Sequence, residues 1–160
     1  MQVPGLDIFR SFEWLRIAPP ADDNLDTRNY RLPLAVPGSL RLPGQKLVIH
    51  LELFENTQVT ELLESVYNKG VECLDWNRIC GSLEVRNWRP GDQYQPEGHR
   101  GPEKIKSLFH QARVPLWERR HWPVVTSGAT ILWTRRFGPA AGFAARPGSS
   151  PVLSIRETGA

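Results

Sequence analysis

Eight cations and four large aromatics crowd one stretch of this chain: Arg86, Arg89, Arg100, Lys104, Lys106, Arg113, Arg119 and Arg120, interleaved with Trp88, Tyr94, Trp117 and Trp122. Guanidinium and ammonium groups neutralise phosphates and release their counterions, and rings beside them either stack on exposed bases or pack. The local charge sharpens this reading. Residues 86–136 hold ten Lys/Arg against four Asp/Glu, a net of +6, whereas residues 1–85 hold eight against twelve, a net of −4. A basic half set on an acidic one points to a polyanionic partner, which the whole-chain net of +3 understates. Each cation alone is more easily a solvated side chain and each ring alone a packed one. Their concentration carries the signal.

Catalytic chemistry finds less to work with. The chain has no G-x-x-x-x-G-K-[ST], no G-x-G-x-x-G opening a helix and no G-x-S-x-G. His50, His99, His110 and His121 fall in no metal-ligand spacing, so no metal is expected. Cys73 and Cys80 read as small buried apolar side chains rather than a redox pair. An independent enzyme would have to gather Asp75, Asp92, Cys80 and the histidines in space, and their spacing gives no sign of that. A chain of 160 residues can bury a core without disulfide or metal. With no apolar run near 18 residues and no leader-like N-terminus, a soluble cytoplasmic protein is the default expectation.

The basic residues need elements to hold them. Residues 83–88 read as a strand, with Leu83 and Val85 facing one way and Glu84 and Arg86 the other. Residues 89–102 carry three prolines and three glycines, a loop long enough to be functional. A helix is expected over 103–114, with Ile105, Leu108, Phe109 and Ala112 as its core stripe; Lys106, His110 and Arg113 line one flank, Lys104 the other, and Pro115 stops it. Residues 124–126 and 130–134 form a hairpin around Ser127-Gly128. Upstream, residues 8–17 read as one partly buried strand, 19–29 as a connector, and 30–36 as an edge strand because Pro33 removes a ladder donor. Leu47, Ile49, Leu51 and Leu53 alternate with polar or smaller neighbours, which makes a half-buried strand. Val59, Leu62, Leu63 and Val66 have helical spacing, and further strands are expected at 71–76, near 142–145 and at 152–156. The sum is α+β, a small mixed or antiparallel β-sandwich with one or two short helices, divided into a 1–29 extension and a 30–160 domain.

Within that frame a motif set stands out. Leu74-Asp75, Gly81, Leu83 and Val85-Arg86 lead into Arg89-Pro90-Gly91-Asp92, then Pro96 and Gly98, Lys104-Ile105-Lys106 with Leu108-Phe109, and finally Val114-Pro115, Arg119 and Pro123. The set resembles the C-terminal domain of tRNA(Ile)-lysidine synthetase over residues 30–156, and R-P-G-D followed by K-I-K is its specific part. That family uses ATP to join lysine to the wobble cytidine of an isoleucine tRNA with a CAU anticodon. The resemblance implies an SH3-like sandwich related to a domain of the phenylalanyl-tRNA synthetase beta subunit, gripping the tRNA body and acceptor stem. Arg86, Arg89, Arg100, Lys104, Lys106, Arg113 and Arg119 become the expected tRNA contacts. Pro90 and Gly91 shape a turn, and Asp92 caps it or orients an arginine. Glu103, His99-Arg100 and the Ala/Gly-rich end depart from the family pattern.

By the same resemblance no catalytic residue, metal or cofactor belongs to this chain. ATP and lysine are expected to act in an N-terminal catalytic domain outside these 160 residues, whose S-G-G-x-D-S loop they lack. The chain is then a fragment or a separate subunit that forms no lysidine alone. The alternative is a structural module that packs on the catalytic part and touches RNA little, which an exposed apolar patch near the N-terminal strand would favour.

Overall fold

The computed structural model describes residues 2–20, 29–55 and 72–159. At the N-terminus β1 (Gln2–Val3), β2 (Leu6–Ser11) and β3 (Trp14–Ala18) form a small antiparallel sheet. The single buried strand expected over 8–17 is instead a hairpin. It folds back at Phe12, which takes a left-handed φ of 53°, and its Phe9, Trp14, Leu15 and Ile17 stay exposed. Then come β4 (Arg31–Leu34), β5 (Gly38–Arg41), β6 (Leu47–Phe54), β7 (Glu72–Asp75) and β8 (Leu83–Asn87). Short β9 (Gln93–Tyr94), inside the Pro/Gly loop, pairs with β10 (Glu103–Lys104) just after it, before helices α1 (Ile105–Gln111) and α2 (Leu116–Arg119). β11 (Pro123–Ser127), β12 (Thr130–Thr134), β13 (Gly138–Pro139) and β14 (Val152–Gly159) complete the chain.

Two antiparallel sheets carry the core. One runs β13-β12-β11-β8-β4 and the other β5-β6-β14-β7. Leu83, Val85, Val125 and Leu132 from the first sheet share a buried cluster with Ile49, Leu51, Leu74, Leu153 and Ile155 from the second, so the sheets pack face to face. A second cluster joins Ile105, Leu108 and Phe109 of α1 to Val124 and Ile131, on the other side of the five-stranded sheet. That sheet is therefore the middle of three layers. Coverage on both faces explains why β11 reads P-V-V-T-S without alternation and is buried throughout, whereas β6 alternates. Pro33 sits in β4 at the sheet's edge, where a missing donor costs least.

The α+β expectation holds, with antiparallel sheets and few helices. Its details shift. Helix α1 starts two residues later than expected because Glu103 and Lys104 pair with Tyr94 and Gln93, and it ends at Gln111 because Arg113 takes a left-handed φ of 52°. Helix α2 was not foreseen. Residues 142–145 make only a bridge from Ala144 to Leu74, because the chain turns there with the Phe143 and Ala144 amides on the Ala140 carbonyl. The helix expected around 59–66 and most of the 19–29 connector lie outside the described residues.

Candidate nucleic-acid interface

The R-P-G-D motif is a β-turn with its own lock. The Asp92 amide donates to the Arg89 carbonyl at 3.0 Å, and Gly91 takes a φ of 94°. Proline second and a positive-φ glycine third is the type II pattern. The Asp92 carboxylate accepts from the Arg89 amide at 2.7 Å and from both Arg86 guanidinium nitrogens at 2.7 and 3.0 Å. Arg86 and Asp92 side chains are only 13% and 14% exposed. Arg86 is thus held inside the turn, and its third hydrogen bond goes to the Asn87 carbonyl.

Two contacts bring the K-I-K motif alongside. The Ile105 amide donates to the Asp92 carbonyl at 3.0 Å, and Lys104 pairs with Gln93 across β9 and β10. Ile105 is fully buried while Lys104 and Lys106, on either side of it, are exposed. Arg89 is exposed on the turn, and Arg100 on the loop beyond β9. Among the described residues none of these four side chains makes an ion pair.

Further along α1, Lys106, Ser107, His110 and Gln111 join Arg119 around an open depression of about 310 Å³. Arg119 donates to the Val114 carbonyl at 2.9 Å and lies over the rings of Phe12 and Phe109, and burial pulls its pKa down. Arg113 pairs with Glu13 of the hairpin at 3.1 Å. The seven expected contacts therefore separate. Arg89, Arg100, Lys104 and Lys106 present free charge, Arg119 borders the depression, Arg113 is engaged by the hairpin, and Arg86 is internal. Ser107 and Gln111 escaped the sequence reading, although each is one residue on from Lys106 and His110 around the helix. Phe12 gave no signal at all.

The aromatics are chiefly packing. Trp122 is 2% exposed and meets Phe109 edge-on at 5.1 Å, as does Trp88 from another side. Tyr94 is buried, its hydroxyl donates to the Gly138 carbonyl at 3.2 Å, and burial raises its pKa. Trp117 is half-buried. Trp122 and Tyr94 cannot stack on a base without unpacking the core.

The residues an enzyme would need are scattered. His50 on β6 is bonded to Ser39 and Thr158, His99 pairs with Glu103, and His110 tilts against Phe12. Cys73 is buried, with its pKa raised to about 11 by burial and by Glu72, while Cys80 is exposed, contrary to expectation. Among the described residues no cluster of three or more His, Cys, Asp or Glu could hold a metal, and no helix is long and apolar enough to cross a membrane.

Comparison with known proteins fits this geometry. Residues 83–155, from β8 into β14 and including R-P-G-D and K-I-K, match the family described as the TilS substrate C-terminal domain. These residues belong to that family. A crystal structure of a TilS C-terminal domain superposes with a TM-score of 0.68 at 26% identity, covering 82% of this chain and 98% of that one. The tRNA(Ile)-lysidine synthase of Solibacter usitatus is 55% identical over 98% of this chain and 34% of its own length. That of Symbiobacterium thermophilum is 33% identical over 69% of this chain and 23% of its own. This TilS C-terminal domain chain thus spans about a third or less of those enzymes. An N-terminal fragment of the phenylalanyl-tRNA synthetase beta subunit from Pyrococcus horikoshii shares the fold alone, at 9% identity and a TM-score of 0.50 over 86% of this chain and 41% of that one.

Proposed function

We propose that this chain grips an isoleucine tRNA through its phosphates while a catalytic part of the same synthase, outside these residues, uses ATP and lysine on the wobble cytidine. One observation supports the reading most: the Asp92–Ile105 hydrogen bond sets exposed Lys104 and Lys106 beside the Arg89 turn, with Arg100 on the adjoining loop. Phosphate oxygens spaced along a duplex suit such a row of unpaired cations, and the burial of Tyr94 and Trp122 beside them favours backbone contact over base stacking. On this reading the chain alone is not a catalyst, its two-sheet sandwich is of the SH3-like type, residues 1–29 are an extension of the 30–160 domain, and the protein works in the cytoplasm on a tRNA body or acceptor stem.

A titration of isoleucine tRNA against the chain and its Lys104→Ala/Lys106→Ala variant tests this. Loss of two phosphate contacts should weaken binding roughly tenfold or more without unfolding the protein. Equal affinity would remove the K-I-K motif from the interface.

A further inference from the structure

The N-terminal sheet exposes large apolar side chains to solvent. Pairing of Ile8 with Ile17 and of Arg10 with Leu15 sets Leu6, Ile8, Leu15 and Ile17 on one face, together with Arg10. Leu15 and Ile17 are 61% and 58% exposed. A two-stranded hairpin with a two-residue third strand is marginal in water unless its hydrophobic face is covered. Its tip, by contrast, is fastened. Ser11 accepts from the Leu116 amide at 3.2 Å, Glu13 pairs with Arg113, and Phe12 lies against His110 and under Arg119. The aliphatic face is thus held at a fixed place on the domain.

We propose that the face formed by Leu6, Ile8, Leu15 and Ile17 is the seat on which the remainder of a full-length lysidine synthase chain packs. RNA does not suit it: Arg10, the cation on this face, donates to the Phe12 carbonyl at 3.3 Å, and branched aliphatic side chains cannot stack on bases. A protein surface does. The Solibacter synthase matches 98% of this chain, so the hairpin falls within the match, and about two thirds of that enzyme lies beyond it to supply the cover. This rests on family membership and not on the tRNA contacts, so the two readings fail separately.

The test compares hydrogen exchange at residues 6–17 in the chain alone and in the Solibacter enzyme carrying this chain in place of its matching segment. Exchange should slow about tenfold or more in the chimaera, and Leu15→Glu/Ile17→Glu should restore it while residues 123–127 stay protected. Where the glutamates unfold the protein, Leu15→Ser/Ile17→Thr gives the same readings. Equal exchange in both proteins overturns the proposal, as does protection already present in the chain alone. Protection that appears only at high concentration of the chain assigns the face to a second copy, and protection only with added tRNA assigns it to RNA; either result also overturns it.

Discussion

Asp92 takes three hydrogen bonds on one carboxylate, and that concentration makes it the residue on which the basic edge depends. Removing one partner of a mostly buried ion pair strands the other, at a cost of about 3–5 kcal/mol. Asp92→Ala should therefore destabilise the chain by about that much in urea unfolding, whereas Lys104→Ala, on the surface, should stay within about 0.5 kcal/mol. Similar small losses for both would mean that Arg86 is not locked. Glu72 offers a second residue-scale test. Burial and the nearby Glu157 charge raise its pKa from 4.5 to about 7, and the Trp133 indole donates to it. Between these values the folded state binds more protons than the unfolded one, so stability from this group falls as pH rises from about 4.5 to about 7. Relative to the native chain, Glu72→Gln should lose part of that decline when melting temperatures at pH 5 and pH 8 are compared. An unchanged profile would show that Glu72 ionises as freely when folded.

Elements convert these residues into a surface. The turn at residues 89–92 needs a left-handed third position, and a Cβ at Gly91 would meet nothing within 4 Å, so strain alone decides its replacement. Gly91→Ala should cost about 1–2 kcal/mol in chemical denaturation, and a neutral result would argue against the type II conformation. Much of this scale was legible in the sequence. Alternation in β6, the proline at the β4 edge and the core stripe of α1 each follow from local periodicity. What escaped depends on distant contacts. Arg86 looked like a free cation because the sequence does not say which arginine Asp92 engages, and the carboxylate reaches back six residues to this one. Trp122 looked available for stacking because its burial comes from Phe109 and Phe137, residues that pattern reading does not bring together. The hairpin was hidden by a non-glycine turn at Phe12, without the Asn-Gly or Asp-Gly signal that marks most such turns.

At the scale of the whole molecule, a two-sheet sandwich carries a basic edge, and a latched hairpin with exposed apolar side chains stands beside it. The expected contacts run from β8 through the Pro/Gly loop and α1 to α2, and the four-stranded sheet supplies none of them. The central claim is that this edge holds tRNA by its phosphates. The direct measurement is the binding constant for isoleucine tRNA across a salt series, for the chain and for Lys104→Ala/Lys106→Ala. With three or four phosphates engaged, log K should fall by roughly 3 per decade of salt, and the variant's slope should be shallower by about 2. A response that is flat with salt, or identical in both proteins, would contradict the account.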